Sequence, residues 1–408
     1  MNTNALTTAI EAALKQLESS LPVATNSDQT PPSLREAMLE HKLSKGIHSV
    51  LAEQEEFARP MMISSLSGAT GFHPQFVAPM LLREARRRHS AEAAVAWLQK
   101  VLATERAAGI AVATFWGLAP RAKIALLPDV QLMPFDSLPP SRQKDALAEP
   151  HYESWPRLAT PPFTWQAPTA ALVLSVEIEP YLKAPSYKSK DPVDHTALFS
   201  DIRLCLATAG PTAVVRGPGW FQYTDPDIEC AILGAGTNLP HQEVTPLVLD
   251  DGSEFNPDRA VALFHDFMNL EAGLKNRARI AMERLGQAII RRSPADTALE
   301  LAIALEALLV DSPGEHTFKI GLRAALLTSK DLERRKRNRA IVEGMYKIRS
   351  SLMHSGQFSD TCKLRGYGRM STKEVVSEAL EITASVIQTI IGRGSIPDWG
   401  SIELSSPP

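Results

Sequence analysis

The stretch YKIRSSLMHSG, residues 346–356, decides how the second half of this chain is read. Upstream and through it, Ile341, Met345, Ile348 and Leu352 recur at steps of 4, 3 and 4, the spacing of an apolar stripe on an α-helix, and Ser355 with Gly356 supplies a stop. Arg349 and His354 fall on either side of that stripe. A five-residue step turns about 500°, which leaves the pair about 140° apart on the helix and about 7.5 Å apart along its axis. They share no stripe, but the long arginine stem can swing toward a histidine at the helix end, so the two can flank one groove. Ser350 follows the arginine, and Tyr346, one turn earlier, offers a ring suited to stacking on a base.

Spacing alone is a weak signal. An arginine followed by a histidine after four to six intervening residues occurs four times: Arg35 with His41, Arg83 with His89, Arg259 with His265, and Arg349 with His354. At least three of these are accidents. What separates the last is its setting: a serine after the arginine where the others carry Glu36, Glu84 and Ala260, and a basic run, LERRKRNR, on the same predicted helix. That run places Arg334, Arg335, Lys336, Arg337 and Arg339 in six residues. Residues 311–370 hold 13 Lys and Arg against 6 Asp and Glu, whereas the whole chain carries a net charge of −3. A basic region inside an acidic protein favours a phosphate-bearing substrate, against the plainer reading of a solvated helix start.

Working outward, the chain from Pro257 reads as nearly all helical. Leu263, Phe267, Leu270 and Leu274 form one stripe, RARIAMERLGQAII continues it, and Pro294 opens ADTALELAIALEALLV at a favoured first-turn position. HTFKIGLRAALLTS and STKEVVSEALEITASVIQTII complete a bundle of four or five helices over residues 256–393, followed by a tail, 394–408. Residues 1–255 read as a mixed α/β region of unknown role. Helices are expected at 4–19, 33–57 and 76–108, the last capped at Ser90 and ended at Gly109. IAVATFW, AKIALL, AALVLSVEIE, TAVVR and WFQY read as strands, residues 194–209 as a helix, and β structure is expected to end near Asn256. Eight of the 30 prolines lie between Pro134 and Pro168, which predicts an extended loop packed by Trp155 and Trp165. The fold class is therefore α+β followed by an all-α bundle.

With 408 residues and 44% apolar content, the chain has room for at least two cores. The N-terminus lacks a signal-peptide pattern and no uncharged apolar run approaches a membrane span, so a cytoplasmic protein without membrane contact is expected. Cys205, Cys230 and Cys362 are too few and scattered for a disulfide framework and read as buried thiols; no spacing suggests a metal site or a cofactor. LGAGTNL has Leu239 where a dinucleotide loop needs its third glycine, and ARRRH at 85–89 reads as a solvated helix end. P-loop, H-E-x-x-H and G-x-S-x-G patterns do not occur.

The ordered set RARIAMERLGQAIIRRSPADTALELAIALEALLV, LRAALLTS and YKIRSSLMHSG resembles the HEPN superfamily of helical bundles, most closely its Apea-like branch, over roughly residues 276–391. Its most specific elements are the A-x-E-R segment, Ala304 to Glu306, and Y-x-x-R-S-x-x-x-H before a glycine-containing turn. The resemblance implies a bundle that forms a homodimer, bringing two Arg and His pairs into one cleft. It also implies metal-independent endoribonuclease activity on RNA, in toxin or phage-defence settings, with a phage-derived trigger or an antitoxin as further partner. Carried over by position, Arg349, Ser350 and His354 are catalytic; Ser350 departs from the Asn, Asp or His of the wider superfamily but suits the Apea-like branch. Residues 1–255 would then sense a signal or restrain the bundle.

Chemistry assigns the roles. RNA carries its own nucleophile, the ribose 2′-hydroxyl, so a nuclease without a metal needs a proton acceptor, a proton donor and a stabiliser for the developing phosphorane. Histidine serves the first two and arginine the third. On this reading Tyr346 and the basic run bind substrate, and Glu306 supports or pairs with Arg349. The rival is a catalytically inert HEPN module that binds RNA, a nucleotide or a protein partner.

Overall fold

A computed structural model describes residues 1–20, 34–66, 68–148, 167–187, 195–232, 237–238, 256–310 and 316–405. In chain order the elements begin with α1 (Thr3–Ser20), α2 (Leu34–Leu43), α3 (Lys45–Ala52), β1 (Met61–Ser65), β2 (Gly68–Phe72), α4 (Pro74–Arg88) and α5 (Ala91–Ala103). Then come β3 (Ala107–Trp116), β4 (Ile124–Leu127), β5 (Val130–Pro134), α6 (Arg142–Ala148), β6 (Ala170–Ile178), β7 (Leu182–Lys183), α7 (His195–Ala209), β8 (Val215–Tyr223), α8 (Pro226–Glu229) and β9 (Thr237–Asn238). The C-terminal part comprises α9 (Pro257–Met268), α10 (Ala272–Ile290), α11 (Pro294–Leu309), α12 (His316–Thr328), α13 (Leu332–Ser355), β10 (Thr361–Leu364), β11 (Gly368–Ser371), α14 (Thr372–Arg393) and α15 (Trp399–Ser405).

The chain has α+β character, with helices dominating its C-terminal half. Alternation along β3 explains the centre. Ala111, Ala113 and Phe115 face one side, Ile110 and Val112 the other, and both sides are buried. Antiparallel neighbours extend it into the order β4-β5-β6-β3-β8-β9. One face of this sheet packs on α7 and the C-terminal helices in a single apolar core, and the other covers Met133, Phe135 and Trp220. A separate core joins α1, α3, α4 and α5 to the small sheet β2-β1-β7.

The large core runs across residue 255. Asp201 on α7 takes a bidentate pair from Arg279 on α10 at 2.7 and 2.9 Å, and Gln388 on α14 donates to the Thr208 carbonyl at 2.5 Å. Charge ties the N-terminal elements as well. The ARRRH segment is not merely solvated: Arg87 and Arg88 both hold the buried Glu84, Arg88 also grips Asp227, and Lys100 reaches Asp225 at 2.7 Å. The α4–α8 junction is thereby pinned by ions that a solvated end would leave free.

Local expectations hold where a cap or a stripe announces them. Ser90 accepts from Ala93 N–H, Ser293 from Asp296 N–H with Pro294 at the first turn, and Gly356 ends α13 at φ 68°. Elsewhere the chain departs from expectation. The Gly109 helix end lies inside β3, because the helix stops at Ala103 and the extended run starts at Ala107. The first hundred residues include the β1–β2 hairpin, and TAVVR and WFQY contribute to one strand, β8, across Gly217-Pro218-Gly219. The Pro134–Pro168 segment holds a 3-10 turn at Phe135–Ser137 and then a short helix, α6, while Trp155 and Trp165 lie outside the described residues, as does most of LGAGTNL. Cys205 and Cys362 are buried as expected, but Cys230 is exposed.

The C-terminal region is not all-α. The bundle has six helices, α9 to α14, among the described residues, and β10 and β11 form an antiparallel hairpin between α13 and α14. Its turn needs glycine at Gly366 and Gly368, both at positive φ of 82° and 77°. The tail includes α15, where Trp399 is buried under the Arg323 guanidinium, 4.7 Å from the ring, and Glu403 pairs with Arg323 at 2.8 Å. Helix α14 is long and apolar enough to cross a membrane, yet most of its apolar face lies in the bundle core.

Two outcomes are expected. The hairpin sits so close to α13 that a Cβ on Gly344 would lie 2.4 Å from the buried Leu364 side chain. Gly344→Val should therefore lower stability by about 1–3 kcal/mol through overpacking, measured by urea denaturation. Glu229 is half-buried beside Tyr223, and desolvation pushes its carboxyl up to about 7, although the Tyr223 N–H donates to it at 2.7 Å. Its folded pKa exceeds the unfolded value, so its contribution is complete below about pH 4.3 and is lost as pH rises toward 7. Glu229→Gln should flatten that part of the stability profile between about pH 5 and 8.

Candidate functional site

Helix α13 is buried more broadly than one stripe. Ala340, Ile341, Val342, Gly344, Met345, Tyr346 and Ile348 are all inside, because α11, α12, α14 and the hairpin enclose the helix. It emerges at its first turn, where Leu332, Glu333 and Arg334 are exposed, at Lys347, and towards its C-terminal turn, where Ser350, Met353 and His354 are exposed and Leu352 is half-buried. This gradient gives the two motif residues different surroundings.

Arg349 faces α11. Its Nη1 lies 3.3 Å from Glu306 Oε1, and its guanidinium carbon is 5.7 Å from the centre of the Tyr346 ring. The same Glu306 oxygen accepts from the Tyr346 hydroxyl at 3.1 Å, and the Ala302 carbonyl accepts from it at 3.4 Å. Tyr346, Glu306 and Arg349 thus form a compact triad across the α11–α13 contact. Burial and the Glu306 carboxylate hold the phenol well above its usual range, so Tyr346 remains a hydroxyl donor. Arg349 Nε is shielded and has no partner. An orphaned donor costs about 1–3 kcal/mol, so the guanidinium is oriented without being satisfied.

These positions correct one expectation. Tyr346 is 5% exposed and cannot offer its face to a base; its ring is part of the core and its hydroxyl a strut for Glu306. Arg349 is half-buried and paired, whereas His354 and Ser350 are open. The pairing foreseen for Glu306 is present. Within one chain, the five-residue step keeps Arg349 and His354 about 140° apart around the helix.

The basic run divides in a similar way. Lys336 pairs with Glu333 at 2.8 Å, Arg339 with Glu343 at 2.8 Å and lies over Phe318, and Arg337 pairs with Glu378 at 2.5 Å. Arg335 donates to the Ser329 carbonyl at 2.6 Å. Arg334 is exposed and, among the described residues, has no ion pair. The run therefore serves largely to tie α13 to itself and its neighbours. Arg339, its nearest member, is ten residues from Arg349, about 15 Å along the helix.

A second cationic surface was missed by the sequence reading. Lys347, Ser351, Phe358, Lys363 and Arg365 line an open groove of about 620 Å³ between α13 and the hairpin. Its signal was legible as the alternation of Thr361, Lys363 and Arg365 with Cys362 and Leu364, but a helical reading of the whole region concealed it. No group of three His, Cys, Asp or Glu side chains able to hold a metal gathers among the described residues. Comparison with family models, with curated proteins and with solved structures returns no match for this chain.

Tyr346→Phe should lower stability by about 0.5–1.5 kcal/mol, the worth of the hydrogen bonds its hydroxyl makes. A double-mutant cycle of Arg349→Ala with Glu306→Ala should give coupling below about 1 kcal/mol, since both side chains retain solvent contact. Urea midpoints of Tyr346→Phe, the two single variants and the double variant check both.

Proposed function

We propose that this chain is a metal-independent endoribonuclease of the HEPN type, working as a homodimer in the cytoplasm in a phage-defence or toxin-type role. The observation that supports this reading best is the setting of Arg349: a guanidinium oriented by Glu306 against Tyr346, on the helix whose open last turn carries Ser350 and His354. Such an arginine is positioned before substrate arrives, which is what stabilising a transient charge requires. Because Arg349 and His354 diverge around α13, the productive cleft is assembled when a second copy brings its own α13 end alongside.

In that cleft His354 takes the proton from a ribose 2′-hydroxyl, and O2′ attacks the adjacent phosphorus. Arg349 donates to the non-bridging oxygens as the phosphorane forms. The P–O5′ bond breaks, and the His354 of the second copy protonates the departing oxygen. Products are a 2′,3′-cyclic phosphate and a 5′-hydroxyl. Ser350 orients the histidine or contacts the phosphate, and residues 1–255 sense a trigger or restrain the bundle.

The alternative, an inert module that holds RNA, a nucleotide or a protein partner, uses the same surface without proton transfer. Purified protein incubated with labelled single-stranded RNA and EDTA separates the two. Cleavage by the wild type should fall by on the order of 10²–10⁴ in His354→Ala, with a comparable loss in Arg349→Ala. Cutting that survives His354→Ala would remove the proposed chemistry, and RNA binding without cutting would establish the inert module.

A further inference from the structure

We propose that the groove between α13 and the β10–β11 hairpin is the binding track for single-stranded RNA, holding its phosphates on Lys347, Lys363, Arg365 and Arg369 and leading the strand to His354. Charge carries the argument. Residues 346–373 contain six Lys and Arg and one acidic residue, Asp360, in a chain whose net charge is −3. The four named cations are exposed, and among the described residues none is ion-paired with a carboxylate. The run at 334–339 is the opposite case, since three of its five cations have carboxylate partners.

The hairpin register sharpens this. Lys363 stands directly opposite Arg369 on the exposed face, and like charges so placed destabilise a β-pair. Arg365, in the turn just after β10, is exposed and lines the groove beside Lys363. Lys347 adds its ammonium from the helix side, where it donates to the Lys363 carbonyl at 3.4 Å. Lys347, Lys363 and Arg365 line the groove and Arg369 stands beside it opposite Lys363; among the described residues none of the four has a carboxylate partner, the arrangement that a polyanion relieves. Phe358, 36% exposed, lines the same groove and supplies a ring on which an unpaired base can stack.

Helix geometry gives the track a direction. From Lys347, Ser351 lies about 40° and His354 about 20° off the same helix face, the latter about 10.5 Å along the axis. Arg349 lies about 160° away from Lys347, toward Glu306. The face that enters the groove is therefore the face that ends at His354. The proposal rests on the nuclease reading only for what the strand meets there.

The test uses the full chain, a fluorescent twelve-nucleotide RNA and anisotropy titrations over a range of salt, together with cleavage in EDTA. Lys363→Glu/Arg365→Glu/Arg369→Glu should weaken binding by on the order of tenfold or more and lower the salt slope by about 0.7 for each phosphate no longer neutralised. Arg121→Glu/Lys123→Glu, exposed between β3 and β4, is the control for charge reversal away from the groove and should change affinity by less than about threefold. Circular dichroism and a thermal midpoint confirm that the exposed substitutions leave the fold in place. A hairpin variant that binds and cuts like the wild type overturns the groove and leaves the nuclease reading intact, as does an equal loss in both variants. RNA bound through the hairpin but never cut overturns the nuclease reading alone. A wild type that neither binds nor cuts overturns both.

Discussion

The enclosure of α13 is the constraint on which the C-terminal half depends. A helix packed by α11, α12, α14 and a hairpin has little face left for solvent, and each neighbour asks something of it. The hairpin asks for no side chain at Gly344, where Leu364 fills the space a Cβ would take. Helix α11 asks for a donor at Tyr346, because Glu306 and the Ala302 carbonyl face it there. Arg349 then lies over the same ring, sharing the Glu306 oxygen. The helix becomes available to a partner at its exposed first turn, at Lys347 and, where these neighbours end, at Ser350, Ser351, Met353 and His354.

That gradient separates two kinds of charge. Arg337 and Arg339 work inside the fold, where carboxylates on α14 and α13 answer them. Lys347, Lys363, Arg365 and Arg369 have no such answer among the described residues; the first three line an open groove and Arg369 stands opposite Lys363. Local counting of basic residues treats both sets alike, yet Arg337 and Arg339 are held in ion pairs within the fold and the hairpin cations are not. The cations of this region without carboxylate partners among the described residues therefore lie on the hairpin side of α13 and at Arg334 and Arg335 of its start.

Much of the architecture was legible because caps and stripes act locally. Ser90, Ser293 with Pro294, and Gly356 mark helix ends through hydrogen bonds or φ values confined to a few residues, and each does so here. The strands β3 and β6 were legible because Ile, Val and Thr recur at short intervals along them, as in Ile110, Val112 and Thr114. The hairpin β10–β11 was not, because four-residue strands between two long helices leave a short period-two signal beside a strong helical one. The continuation of the core past residue 255 was equally hidden, since Asp201 and Arg279 are 78 positions apart and only packing brings them together.

By itself the sequence determined the helix that carries Arg349 and His354, its stop at Gly356, the angular divergence of the pair and the pairing capacity of Glu306. Each follows from the fixed pitch of an α-helix or from side-chain chemistry. Only the tertiary structure decided that Tyr346 is a core strut and not a stacking platform, that most of the basic run is spent on internal partners, and that unpaired cations gather along a hairpin. The physical reason is common to all three. Burial and ion pairing depend on which surfaces meet, and no residue's neighbours across a helix contact are encoded in the order of residues along it.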